Sequence, residues 1–303
     1  MKIILRFFGT LFVASIVIFF LMRAVPGNPA RVALGVNATE DAVAELSTQL
    51  GLDRPLAQQY FEWIGGLISG DFGKSLSTQT SITAAVLDRT QVSLILVGIS
   101  LVLALLIAVP LGIYTARKDS VLLPLTQVGI AVPSFLVGII LIAVFAVNLG
   151  WLPANGWVPP NREGFIKHLV LPVISLALVQ AAMLTRYLRS ALLDIMNQDY
   201  IRTARSLGQS PTEALYRHGL RNAALPVLTI LGVQLTTLIV GAVVIENVFV
   251  IPGLGSMLLD AVATRDLTTV QTLVMLLVTF TLTVNALIDL AYRFIDPRLR
   301  GRA

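Results

Sequence analysis

The stretch YIRTARSLGQSPTEALYRHGLRNAALP occupies residues 200–226 and stands between two long apolar runs. It carries Arg202, Arg205, Glu213, Arg217 and Arg221, and it ends on Pro226. Its local chemistry specifies a helix in two parts. Leu193, Met196, Tyr200, Ala204 and Leu207 recur at helical spacing, forming one stripe that carries the preceding apolar run beyond the bilayer. Asp199 and Arg202 sit three apart on a neighbouring face. Gly208 is the stop signal, because glycine accepts the left-handed conformation that ends a helix. Ser210-Pro211-Thr212-Glu213 restarts it, with Ser210 as N-cap, Pro211 at the first helical position and Glu213 completing a capping box. Glu213 and Arg217 follow as an i, i+4 pair. Gly219 weakens this second helix by up to about 1 kcal/mol, so the helix depends on packing. Pro226 opens the next apolar run. The expected order is helix, glycine break, short helix and membrane re-entry.

The flanks say what such a segment interrupts. The chain has 303 residues, 56% of them hydrophobic and 13% charged, where soluble domains carry about 25% charged residues. Apolar stretches long enough to span a bilayer lie at about Phe7–Val25, Val92–Tyr114, Leu122–Asn148, His168–Tyr187, Pro226–Glu246 and Val270–Tyr292. The fold class is therefore an all-α polytopic membrane protein with six transmembrane helices. Pro133 and Pro172 predict kinks in the third and fourth spans. The basic start and apolar core of residues 1–25 resemble a secretory leader. The core is longer than a leader's and no small-x-small site follows it, so a retained first span is expected.

With the N-terminus inside, Lys2, Arg6, Arg117, Lys118, Arg186, Arg189 and the arginines of 202–221 all fall on the cytoplasmic side, and acidic residues concentrate on the other. The positive-inside rule then places both termini in the cytoplasm. The net charge of +5 reflects this loop bias and implies no nucleic-acid partner. Cysteine is absent, which excludes disulfides, thiolate metal sites and cysteine nucleophiles.

The organisation read from the chain is an N-terminal span (1–25), an extracytoplasmic helical segment (26–89), a five-helix core (90–293) containing a cytoplasmic loop (188–225), and a tail (294–303). In the outer segment Asn37 can cap a helix near Thr39, with Glu40 at the capping-box position, and Gly51 can end it. Asp53 starts a second helix with Pro55 in its first turn. Gly73-Lys74-Ser75 imitates the end of a phosphate-binding loop, but Ile68 stands where that loop needs glycine. No nucleotide site follows, so ATP chemistry has to belong to a partner.

Polar residues inside the spans have two readings each. Gln180 and Gln234 either line a path or bond to a neighbouring helix, and Glu246 at the outer end of span five can face a pathway mouth. Gly232 and Gly241, with Thr236 and Thr237, suit close helix approach. Asp289 and Arg293 are spaced as an i, i+4 pair. His168 and His218 fall on opposite faces, so they make no common metal site, and no catalytic dyad or triad is present. The polar loop itself can either lie on anionic lipid headgroups or seat as a rigid lever in another protein's groove.

At this point the chain resembles the permease subunits of bacterial ABC importers of the oligopeptide/dipeptide/nickel group. The resemblance rests on LGLDRPLAQQYFEWIGGLISGDFGKSL (50–76), VPSFLVGIILIAVFAVNLGWLPANGW (132–157), DYIRTARSLG (199–208), RHGLRNAALPVLT (217–229), ENVFVIPGLGSMLLDAV (246–262) and DPRLR (296–300). It implies a type I importer permease fold. Ala204, Gly208, Gln209, Ser210, Pro211, Glu213 and Arg217 would then belong to a loop facing an ATPase subunit. The family names this loop for a Glu-Ala-Ala pattern, and this chain has Arg202-Thr203-Ala204 instead. The implied partners are a second homologous permease, two ABC ATPases that bind ATP and Mg, an extracytoplasmic substrate-binding protein and membrane lipid. The implied cargo is a di- or oligopeptide, with nickel, a metal chelate or glutathione as alternatives. A self-sufficient secondary transporter would show an ionisable relay at mid-membrane; a membrane scaffold would show binding without stimulated ATP hydrolysis.

Overall fold

Apolar runs interrupted by short polar punctuation give a chain built from helices. The computed structural model describes residues 2–35, 38–117, 127 and 129–295. The long helices are α1 (Lys2–Ala24), α5 (Thr83–Arg117), α7 (Phe165–Met196), α10 (Leu220–Val248) and α12 (Leu267–Ile295). Among the described residues, these five are long and apolar enough to cross a membrane. Between them lie α2 (Pro29–Leu34), α3 (Glu40–Gln49), α4 (Leu56–Ser69), α6 (Ser134–Leu141), α8 (Asp199–Ser206), α9 (Pro211–Ala214) and α11 (Leu254–Ala263). Among the described residues two π-helical segments occur, Ile142–Asn148 after α6 and Leu215–Gly219 between α9 and α10.

Several expected boundaries move. The third span falls partly on residues 122–126 and 128, which lie outside the described residues, as do Lys118, Asn37 and the DPRLR ending. What is described of that span is interrupted at Pro133, whose extended backbone (φ −62, ψ 144) caps α6 where a kink inside a helix was expected. Pro172 does sit inside a continuous helix, as do Pro110 and Pro226. Pro226 opens the apolar span Pro226–Val248, as expected, but it does not open the helix, which has already begun at Leu220. In the outer segment Thr39 supplies the cap, its hydroxyl accepting from the Ala42 N–H. The helix expected from Asp53 starts after Pro55, which acts as its cap residue.

The chain forms two compact units. The first comprises Met1–Ser93 with Pro252–Thr283, the second Leu94–Ile251 with Val284–Ala303. In the first unit, Phe19 of α1 is buried against Tyr60 and Trp63 of α4. Ile82 and Val86 at the start of α5 pack with Leu254 of α11 and Leu273 of α12. Gly73-Lys74-Ser75 forms no phosphate cradle. Its Ser75 hydroxyl is buried against the Asp266 carboxylate, while Lys74 bridges to Ser81.

In the second unit, Ala104 and Ala108 of α5 pack against Ala177, Ala181 and Leu184 of α7. Small side chains at such a seam let helix backbones approach closely, which matters where no hydrophobic effect drives helices together. Gly232 and Gly241 serve the same end. An added Cβ would lie 3.1 Å from Ile288 at the first and 3.2 Å from Leu176 at the second. Thr236 and Thr237 return their hydroxyls to carbonyls of their own helix, those of Gly232 and Val233.

Candidate functional site

The polar stretch between α7 and α10 folds into a tight elbow. Helix α7 ends at Met196, and Asn197-Gln198 breaks it before α8 begins at Asp199. Helix α8 ends in a double-bonded stop. The N–H of Gln209 donates to the Ala204 carbonyl at 3.2 Å, and the N–H of Gly208 donates to the Arg205 carbonyl at 3.1 Å. This pairing is the Schellman arrangement, which needs a left-handed residue in its middle. Gly208 supplies it with φ +94. Two residues after Gly208, Ser210 is extended, and its hydroxyl accepts the Glu213 N–H at 3.2 Å. Pro211 occupies the first helical position. The stop of one helix and the cap of the next are thus separated only by Gln209.

Packing stiffens the elbow. Ile201 and Ala204 of α8, Ala214 of α9 and Leu215 join Leu188, Leu192 and Ile195 of α7 and Ala116 of α5 in one buried cluster. The expected stripe put Tyr200 and Leu207 in register with Leu193, Met196 and Ala204 as a continuation of the preceding helix. Tyr200 and Leu207 are 41% and 80% exposed, and Ile201 is buried instead. The break at Asn197-Gln198 resets the helical phase, so the stripe of α7 does not continue into α8. Three side-chain bonds fasten the rim. Arg117 donates to the Thr212 hydroxyl at 2.8 Å, Arg189 to the Thr115 carbonyl at 3.1 Å, and Asn222 to the Tyr200 hydroxyl at 3.0 Å.

The candidate docking residues divide by exposure. Ala204 and the base of α9 are turned inward, whereas Gly208, Ser210, Pro211, Glu213 and Arg217 lie on the surface and Gln209 is half-buried. Arg202 and Asp199 pair at 3.5 Å, both well exposed, which is worth little in stability. Among the described residues no ion pair joins Glu213 to Arg217. The reason is visible in the backbone, since the α-helix gives way to the π-helix at Leu215 and i, i+4 geometry is lost between them. The same π segment takes up Gly219 and carries the chain without a break from Pro211 into α10. The second part of the elbow is thus the first part of the span. Tyr216, 53% exposed beside Arg217, is a surface aromatic that the sequence pattern did not single out.

The three intramembrane polar residues are all buried in the second unit: Gln180 at 5% exposure, Gln234 at 4% and Glu246 at 1%. Gln180 Nε2 donates to the Gln234 backbone carbonyl at 3.4 Å, linking α7 to α10, and among the described residues its Oε1 has no partner. Among the described residues no group of His, Cys, Asp and Glu is placed to hold a metal. Asp289 lies on α12, and the side chain of its expected partner Arg293 lies outside the described residues.

The family model for the binding-protein-dependent transport system inner membrane component matches residues 108–301, which include the elbow and α10. The model for the N-terminal part of such membrane components matches residues 2–97. The chain belongs to this family. It is a permease subunit of an ABC importer, a transport subunit and not an enzyme. The permease is 37% identical over 295 residues, 94% of this chain and 93% of the other, to the oligopeptide transport system permease protein AppB of Bacillus subtilis. It is 36% identical over 293 residues, 94% of each chain, to the probable peptide ABC transporter permease protein y4tP of Sinorhizobium fredii. It is 35% identical over 307 residues, 99% of this chain and 97% of the other, to the glutathione transport system permease protein GsiC of Escherichia coli. As a permease of such a system it works with ATPase and substrate-binding partners.

Proposed function

We propose that this permease forms half of a translocation path for di- or oligopeptides. Its partners in this reading are a second homologous permease, two ATPase subunits that hold ATP and Mg, and an extracytoplasmic binding protein. The observation that carries the cargo is the near end-to-end likeness to relatives named for peptide and oligopeptide transport. Lys and Arg bias supports a cytoplasmic side for both termini and the elbow, and the likeness to bacterial permeases supports an inner-membrane location.

In this reading the elbow is the mechanical link. Closure of the ATPases around ATP moves whatever they grip. The exposed residues Gly208, Ser210, Pro211, Glu213 and Arg217 offer the grip, and the buried cluster beneath them makes the elbow move as a body. Its unbroken run into α10 and its packing on α7 carry that displacement to the two spans that meet at Gln180 and Gln234. Differential contacts in the two states then bias the equilibrium between outward and inward forms.

The test is reconstitution. The full assembly in proteoliposomes should couple ATP hydrolysis to uptake of a peptide held by the binding protein, and this chain alone should transport nothing. Uptake by the chain alone would make it a secondary transporter, and an assembly whose ATPase is not stimulated would make it a scaffold. Likeness to the glutathione permease over nearly its whole length supports glutathione, itself a short peptide, as the second cargo reading. Competition between glutathione and longer peptides for the binding protein decides between them.

A further inference from the structure

Arg23 closes the apolar run of α1 with a cation. Its Nε and Nη2 donate to Gln59 Oε1 at 3.2 and 2.9 Å, and Nη1 donates to Gln271 Oε1 at 3.1 Å. The guanidinium also lies over the Phe19 ring, 4.5 Å from its centroid. These acceptors are neutral amides, and among the described residues no carboxylate pairs with Arg23. A partly buried charge without a counter-charge costs free energy that a bound anion can offset.

Arg23 lines a cavity of about 720 Å³ in the first unit. Lys74 lines it too, exposed and without an ion-pair partner among the described residues. So does Trp63, whose indole N–H is buried with no acceptor among the described residues. The one carboxylate on the wall, Glu62, is already matched by Gln58 at 2.9 Å and Arg54 at 2.7 Å. Those contacts, the Gln58 hydrogen bond foremost, hold its pKa below the ordinary range. Two cations are left over, and Met22, Val25, Leu50 and Leu56 give the same cavity an apolar side.

The depth of the cavity follows from α4. The Tyr60 hydroxyl lies 2.8 Å from that of Ser15, and the Phe19 ring meets both Tyr60 and Trp63, at 5.4 and 6.2 Å between centroids. Ser15 lies about 13 Å along the axis from Ala24, the last residue of α1, at 1.5 Å per residue. Helix α4 therefore stands beside the membrane-spanning part of α1 and not above it. Phe61 and Ile68, seven residues apart on one face of α4, are 70% and 83% exposed, an apolar face suited to lipid contact.

We propose that this cavity binds the phosphate of an anionic phospholipid from the leaflet on the side of residues 26–89, with Arg23 and Lys74 as its cationic partners. Trp63 lies on the same wall, and Met22 and Val25 accept the start of the acyl chains. Arg and Trp are the residue types that anchor at the headgroup level. A soluble anion would leave the apolar wall unused.

The full chain carrying W151F and W157F, so that Trp63 is the sole tryptophan, tests this in phosphatidylcholine vesicles containing brominated phosphatidylglycerol or, at equal fraction, brominated phosphatidylcholine. Brominated phosphatidylglycerol should quench Trp63 more strongly. K74Q should lower that preference roughly fivefold, the worth of one basic residue near an anionic surface. R23Q/K74Q should abolish it, and R23K should retain it. Lys74 is exposed, so K74Q carries the test even where R23Q disturbs folding. Equal quenching by the two lipids, or a preference unchanged in K74Q and in the double variant, overturns the proposal. Relief of quenching by glycerol phosphate in the buffer also overturns it, assigning the cavity to a soluble anion.

Discussion

The carboxylate of Asp266 accepts the backbone N–H of Leu76 at 3.0 Å, joining two residues 190 positions apart in the chain. The same carboxylate accepts from the Ser75 hydroxyl, from the Thr269 N–H at 3.2 Å and from the Thr269 hydroxyl at 2.8 Å. Asp266 therefore caps α12 and holds the 74–81 loop, with 4% of its surface exposed. Each of these contacts comes from a donor, so the buried carboxylate is satisfied by hydrogen bonds.

Asp266→Ala strands those buried donors and removes the cap. A cost of about 2–4 kcal/mol follows from cap loss plus unsatisfied groups. Asp266→Asn keeps the shape and some acceptors, and should cost less. Thermal denaturation in detergent reads the order; equal stability of Asp266→Ala and the parent would count against the latch.

Gly208 sits at φ +94, with nothing within 4 Å of an added Cβ. The obstacle to substitution is backbone strain and not space. Asn, which tolerates the left-handed region, should be the mildest replacement, and Ala should cost about 1–2 kcal/mol. Pro should be worst, because it fixes φ near −65° and deletes the N–H that donates to the Arg205 carbonyl. Peptide-stimulated ATP hydrolysis in the assembled importer should fall in that order while membrane insertion persists.

Val250 occupies the position after α10 that Gly208 occupies after α8. Its N–H donates to the Asn247 carbonyl, the Ile251 N–H donates to the Glu246 carbonyl at 2.7 Å, and its φ is +52. A β-branched side chain is strained there. It is also 63% exposed, so little packing is lost with it. Val250→Gly should stabilise the protein by about 1 kcal/mol, measured as a rise in melting temperature.

Glu213 and Arg217 lie on the surface and do not pair with one another. Reversing both charges should leave folding and insertion unchanged, since exposed substitutions of this kind move stability by less than about 0.5 kcal/mol. It should nevertheless lower ATP-driven uptake if the elbow docks on an ATPase. Uptake equal to the parent's, with normal assembly, would remove these two residues from the interface.

Much of this protein was legible before any tertiary contact was known. Long apolar runs reveal spans because about twenty apolar residues are needed to cross hydrocarbon and little else produces them. Their ends were less legible. Helix α7 extends to Met196, beyond the span read to Tyr187, because hydropathy measures the hydrocarbon layer and not the helix. The Gly208 stop and the Ser210 cap were legible because each is a contact between residues a few positions apart. The Asn197-Gln198 break was not, since neither residue is a strong helix breaker. Missing it carried one stripe through Tyr200, whereas the fold buries Ile201.

The sequence by itself determined that the chain crosses a membrane on several helices and that a capped, glycine-hinged elbow interrupts them, because hydropathy and capping are summed over neighbours. Only the tertiary structure decided that Arg23 meets Gln271, 248 residues away, that Asp266 holds the 74–81 loop, and that Gln180 bonds the backbone of α10. Hydrogen bonds between distant segments depend on which helix faces come together, and local pattern carries no record of that choice.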